Sequence, residues 1–436
     1  MGQVDQTARP APNQRLWSWQ RRIFITCWIT YASLYLGRVN LAVALPALQG
    51  DFGWAKSQAG LIGSAFFWLY AVGQLVNGFL GDRWSPRTFV AIGLVASAAV
   101  NLAFGFSNRL LLMILIWGVN GYVQSTGWGP IIRVLSHWFS SRERGRITAL
   151  FGPCYTLGHI ASWLLAGWLV ARVGWRAAFW LPAGLLALSA LHWWARVRNA
   201  PRDVGLPPAN DDRVERSEGG GLRRAWDYIL GHPQLQLAAL ACVALGTVKE
   251  SLTLWMPTYL METEGFDITR AAGYAIWLPL AGAVGIAMSG WASHRFFRSE
   301  EAPVAMALMA GLALAVAIYR PFVSYVGVLG IPFSLGLIGA MSNGANGLLL
   351  TALPMAQSGQ DRVSSAAGFL DFASYVGAGL GGTCTGVLAD RWGWSAAFGF
   401  WIAAAIAGMF MLAAIWRRGH VNSRSHRRDA ESAKGE

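Results

Sequence analysis

Five ionisable residues fall inside long apolar stretches of this sequence: Arg38, Arg133, Lys249, Glu250 and Asp371. A charge at the centre of a bilayer costs about 2.5 to 3.5 kcal/mol on insertion scales, so charges kept there point to binding or relay chemistry. Arg38 and Lys249 lie 211 residues apart at matching depths of two apolar stretches. Together they could clasp a small divalent anion. Glu250 is next to Lys249 and invites a neutralising pair, but consecutive helical residues do not face each other. Glu250 and Asp371 are therefore the coupling candidates. Asp371 suits a coupling proton or an ammonium group of a zwitterionic substrate, and equally an ion pair with a basic residue at the half-domain interface. Arg133 reads as a residue that snorkels or anchors a loop.

Weaker signals surround these charges. Asn120, Gln124 and Trp128 recur every four residues and form one helical stripe, and Tyr31 and Tyr35 make a similar stripe below Arg38. Both stripes are expected to line the anion site. No nucleophile with a base, metal-ligand cluster or phosphate loop is present. The four cysteines, Cys27, Cys154, Cys242 and Cys384, sit in apolar runs without CxxC spacing. The expectation is a protein that is not an enzyme and needs neither metal nor cofactor.

The elements that must carry these residues are membrane helices. Hydrophobic residues are 54% of the 436 and charged residues only 13%, about half the charge of an ordinary soluble domain. Twenty-three Trp and 51 Gly suit a membrane protein, Trp for the lipid–water interface and Gly for close helix approach. Stretches of about 20 apolar residues are found at 23–46, 58–80, 88–107, 110–134, 147–171 and 176–196, then at 236–261, 271–292, 302–320, 324–352, 363–388 and 396–416. Residues 1–20 are polar, so no cleavable signal peptide is expected ahead of the first span.

The sequence thus divides into a tail (1–22), a six-helix half (23–196), a polar linker (197–235), a second six-helix half (236–416) and a second tail (417–436). Counting Arg196 and Arg320, which end their spans, with the adjoining segments, 25 of 35 Lys and Arg residues fall in the tails, the linker and the loops after spans 2, 4, 8 and 10, against seven in the opposite loops. By the positive-inside rule both termini are cytoplasmic. The net charge of +13 therefore records topology, and a nucleic-acid role is excluded. The predicted class is an all-α membrane protein of twelve transmembrane helices in two pseudo-repeats, expected as a monomer in a bacterial inner membrane.

The halves also resemble each other in sequence. Gly-Trp-Arg-Ala-Ala-Phe at 174–179 returns as Gly-Trp-Ser-Ala-Ala-Phe at 393–398, and Gly78-Phe-Leu-Gly-Asp82-Arg83 is echoed by Gly290-Trp-Ala-Ser-His294-Arg295. Two six-helix repeats about a midplane site is the plan of a rocking transporter. With its Gly-x-x-x-Asp-Arg loop continuing to Arg87, the chain resembles the major facilitator superfamily. That resemblance implies that Asp82, Arg83 and Arg87 gate the carrier by latching the halves together on one side.

A closer resemblance is to the organophosphate:inorganic phosphate antiporters. It rests on Tyr35-Leu-Gly-Arg38-Val-Asn40, Gly121 through Pro130, Arg142-Glu-Arg-Gly145, Gly205-Leu-Pro-Pro208 and Trp255-Met-Pro-Thr-Tyr259. It implies that Arg38 and Lys249 occupy the places of the family's two phosphate-binding cations. A family lysine on span 2 corresponds here to Gln74 and a span 5 histidine to Tyr155, with His159 one turn further on. Tyr155 and His159 therefore join the expected substrate-binding set. The expected function is that of an alternating-access carrier for a small organic anion, a phosphate ester or phosphonate before a carboxylate, with a proton or inorganic phosphate as counter-substrate. The alternative is a transporter-like sensor of an extracellular organic anion.

Overall fold

A computed structural model describes residues 12–140, 142–207, 231–297, 301–352 and 363–432. Among them every regular element is a helix. The first half holds α1 (Pro12–Leu36), α2 (Asn40–Phe52), α3 (Lys56–Arg83), α4 (Pro86–Phe106), α5 (Leu110–Gln124), α6 (Trp128–Trp138), α7 (Arg144–Phe151), α8 (Pro153–Arg172) and α9 (Ala177–Arg196). The second holds α10 (Pro233–Glu264), α11 (Ile268–Ala275), α12 (Trp277–Phe296), α13 (Glu301–Val326), α14 (Gly330–Gly347), α15 (Val363–Trp392) and α16 (Trp394–Ser432).

Ten helical stretches among the described residues are long and apolar enough to cross a bilayer. The pair α1 and α2 and the helix α15 fall outside that set, yet both pack lengthwise among the others. Each is more polar for a reason: α1 carries a basic end and breaks before Asn40, and α15 carries Asp371, Asp390 and Arg391. With them, the described residues form twelve spans. In the first half α3 packs on α5, α4 on α9 and α1 on α8; in the second α12 packs on α14, α10 on α16 and α13 on α16. The halves meet where α3 lies along α15, α2 touches α10, and α8 touches α11 and α12.

Small residues let helices approach closely, Gly377 within the second half and Gly60 and Gly386 at the seam between the halves. A Cβ added at Gly377 would lie 2.0 Å from the Val243 carbonyl oxygen, one at Gly60 would lie 2.7 Å from that of Gly382, and one at Gly386 would lie 2.5 Å from that of Lys56. The glycines of α15 are a close-contact surface on an unbroken helix, which suits packing between membrane helices. Many tryptophans are exposed on the bundle surface, but five have a different place. Trp138, Trp163, Trp193, Trp255 and Trp401 are buried struts whose indole N–H groups donate to Arg198 O, Val39 O, Arg87 O, Gly382 O and Thr385 Oγ1. Inside a helix bundle few other partners exist for such donors, so each bond fixes a spacing between elements.

Candidate functional site

The site begins at a break in the first span. Helix α1 stops at Leu36 and α2 restarts at Asn40, which leaves Arg38 on the turn between them. Gly37 gives room there, since a Cβ would lie 2.6 Å from Leu186 Cδ1 and 2.8 Å from Asn101 Nδ2, and those side chains would have to shift. Breaking a helix in the membrane frees backbone carbonyls that lipid cannot satisfy. Asn120 and Asn101 supply donors to Gly37 O at 2.8 and 3.2 Å, and Gln124 donates to Leu34 O at 3.1 Å. Ser97 joins the two amides, donating to Asn120 Oδ1 and accepting from Gln124 Nε2.

This corrects the expectation for Asn120 and Gln124. Both are buried behind the break with their amides bonded to its backbone, and neither lines the cavity that Arg38 faces. Tyr31 is likewise displaced from the site. It is buried against Trp128, Phe151 and Tyr35, and it packs because its ring has aromatic neighbours on three sides.

The Arg38 guanidinium has no carboxylate partner among the described residues. It donates to Tyr375 Oη at 2.5 Å and lies 4.4 Å from the Tyr70 ring centroid, with Tyr35, Phe66 and Tyr375 rings within 5.5 Å. Aromatic faces attract a cation without cancelling its charge, so Arg38 remains free to pair with an anion. Tyr375, Tyr70 and Phe66 were missed in the sequence. Tyr375 was within reach, because it stands four residues from Asp371 and so shares its helical face.

Arg38 and Lys249 open onto one cavity at the seam, with about 60 Å³ of free volume, room for several waters. Tyr35, Tyr155, His159 and Tyr375 form aromatic walls, and Asn343 adds an amide from the second half. His159 stacks on Tyr35, meets the edge of Trp163 and leaves Nε2 buried without a hydrogen bond. The Tyr155 hydroxyl is also buried and unpartnered.

Lys249 and Glu250 overturn the argument that neighbours in sequence cannot pair. Lys249 Nζ lies 2.6 Å from Glu250 Oε1. The spacing rule concerns Cβ positions, whereas four methylenes let the lysine head swing around the helix to the carboxylate beside it. Both side chains are largely shielded, at 22% and 12% exposure, so leaving either charge unpaired would be costly.

Asp371 is not in an ion pair among the described residues. Its Oδ2 accepts from Gln74 Nε2 at 2.7 Å, across the seam between α15 and α3. Of the two readings of Asp371, the ion pair with a basic residue is not made among the described residues; a neutral amide reaches it without adding charge.

At the chain-terminal end of the bundle, Arg133 donates to Gly81 O at 2.7 Å and so anchors the loop after α3. Arg87 donates to Trp194 O at 3.0 and 2.6 Å and stacks on the Trp194 ring, within its own half. It therefore does not latch one half to the other in this state, because the α9 carbonyl and indole hold it on its own side of the seam. Arg83 is exposed. The Asp82 side chain lies outside the described residues, as does linker segment 208–230.

At the opposite end the halves are joined. Asp390 accepts from the backbone N–H groups of Lys56 and Ser57, Lys56 Nζ meets Glu262 at 3.2 Å, and Trp394 Nε1 donates to the same carboxylate at 2.8 Å. Ser64 adds a bond to Gly379 O at 2.6 Å and accepts one from Thr383. With the Gln74–Asp371 bond they run along α3 from Lys56 to Gln74. They join the two halves on that side of the site.

The sequence profile of the Major Facilitator Superfamily matches residues 27–381. The chain belongs to this superfamily. The membrane sensor protein UhpC of Salmonella typhimurium is 31% identical over 410 residues, covering 90% of this chain and 91% of that one. The glycerol-3-phosphate transporter of Bacillus subtilis is 29% identical over 441 residues, covering 95% and 96%. Both agree with the resemblance to organophosphate carriers drawn from the motifs. The fold also superposes on an inward-facing bacterial homologue of the human lysosomal transporter Spinster with a TM-score of 0.72, at 18% identity and covering 91% of this chain and 95% of that one.

Proposed function

We propose that this superfamily member carries a small organic anion across the membrane by alternating access, with Arg38 as the principal anion contact and Lys249 as the second. The observation that supports this most is Arg38 itself, a shielded guanidinium with aromatic neighbours and, among the described residues, no carboxylate partner, facing a cavity between the halves. An unpaired cation is costly to seal into a dry cavity, and a bound anion removes that cost. The empty carrier then returns slowly, which favours exchange over net uptake. A phosphate ester or phosphonate is the favoured substrate class, since the relatives include a glycerol-3-phosphate transporter. The counter-substrate is inorganic phosphate or a proton, and the carrier works as a monomer.

The test is uptake and counterflow of labelled phosphate esters, phosphonates and carboxylates in proteoliposomes, with Arg38→Gln as control. Uptake that survives Arg38→Gln unchanged would remove the assignment. The UhpC relative supports a second reading as a sensor; binding without any transport would select it. The charge distribution supports cytoplasmic termini in a bacterial inner membrane. A cysteine at Arg202 should then resist impermeant reagent in intact cells while one at Thr263 reacts, and the reverse pattern would invert the orientation.

A further inference from the structure

We infer that the transported molecule is a zwitterion, a phosphate or phosphonate dianion that also carries one ammonium group. This rests on the transport reading above and follows from the charges that line the cavity. Arg38, Lys249 and Glu250 all face it, and together they carry one net positive charge. A plain dianion therefore finds a cavity short by one positive charge. If it draws Lys249 away, Glu250 is stranded as a shielded carboxylate without a cation. Asp371 is not among the residues that line the cavity; its carboxylate lies on the seam against the neutral amide of Gln74, and so it stands outside this count.

A ligand with both charges resolves the deficit by exchange of partners. Its phosphoryl group takes Arg38 and Lys249, its ammonium takes Glu250, and no charge at the cavity wall is left single. The 2.6 Å contact between Lys249 and Glu250 is then the resting arrangement of the two groups that divide the ligand between them.

The walls suit the same division. His159, 7% exposed, leaves Nε2 without a partner, and the neighbouring Tyr155 leaves its hydroxyl without one. The hydroxyl can donate to phosphoryl oxygen, and Nε2 can do so as the tautomer that carries its proton there. The Tyr155 ring lies 6.1 Å from that of Tyr35, and no cation of the protein occupies its face among the described contacts, so it is open to an ammonium.

The decisive comparison is phosphoethanolamine against ethyl phosphate, at about pH 7.5 where phosphate monoesters are dianions. The purified protein should bind phosphoethanolamine tighter by about tenfold or more, because only that ligand satisfies Glu250. Glu250→Gln should reverse the preference, and Glu250→Asp should keep it in part. Binding of ethyl phosphate by Glu250→Gln also reports that this variant is folded. Wild-type affinity for ethyl phosphate equal to or above that for phosphoethanolamine overturns the inference, as does a preference that survives Glu250→Gln. Transport of other anions with no response to an ammonium group sinks this inference and spares the carrier assignment. Absence of uptake for every anion sinks both.

Discussion

Asp390, near the end of α15, caps the start of α3 from the opposite half of the molecule: its carboxylate oxygens accept from Lys56 N at 2.9 Å and Ser57 N at 2.7 Å. The residue before the helix is Ala55, which has no side-chain oxygen for the task. A cap is thus made only when the halves are closed at this end. An acid at a helix N-terminus also gains from the helix dipole.

Removing that acid should favour the open state. With Asp390→Ala the lost cap is worth about 1 kcal/mol, equivalent to about a fivefold shift between closed and open forms. Spin labels at Gly50 and Thr263 should show a longer-distance population that wild type lacks. An unchanged distance distribution would mean that Lys56, Glu262 and Trp394 hold the closure without it.

The pair in the cavity predicts non-additive mutants. Lys249→Gln alone strands Glu250; breaking a fully buried pair costs about 3 to 5 kcal/mol, and less is expected here because Lys249 keeps 22% exposure. Adding Glu250→Gln should restore much of the lost thermal stability while leaving anion binding impaired. Melting temperatures of the two singles and the double decide it. Strictly additive losses would show that the pair is not energetically coupled.

Asp371 separates coupling from binding. If it carries a proton, Asp371→Asn keeps the bond with Gln74 and the shape of the seam, yet uptake driven by a pH gradient should fall by about tenfold or more. Exchange at equal pH should continue. Loss of both activities together would instead mark Asp371 as a structural member of the α3–α15 contact.

The glycine surface of α15 offers a packing test. Gly377→Ala places a methyl group 2.0 Å from the Val243 carbonyl oxygen, so α10 and α15 must separate, at a cost of about 1 to 3 kcal/mol. Gly368→Ala on the same helix meets nothing within 4 Å and should melt like wild type. Equal melting temperatures for the two would mean that the helices adjust freely.

The sequence alone determined the class of this protein and which charges lie within its apolar stretches. Low charge content and twelve apolar stretches leave only a membrane bundle, because backbone groups in lipid must be satisfied within helices. Arg38 stood out because a cation in such a stretch is expensive to keep. Local spacing could say where a residue lies on its own helix, and little about what faces it. The tertiary structure alone brought Tyr70 and Tyr375 to Arg38, turned Asn120 and Gln124 toward a helix break, matched Asp371 with Gln74 and set Asp390 on α3. The hydrogen-bonded partners among these lie 83 to 337 positions apart, and their meeting depends on how the helices of two six-helix halves pack. The Lys249–Glu250 pair is adjacent in sequence and was misread for a related reason. A long flexible side chain goes where its surroundings leave it an opposite charge, and the surroundings belong to the fold.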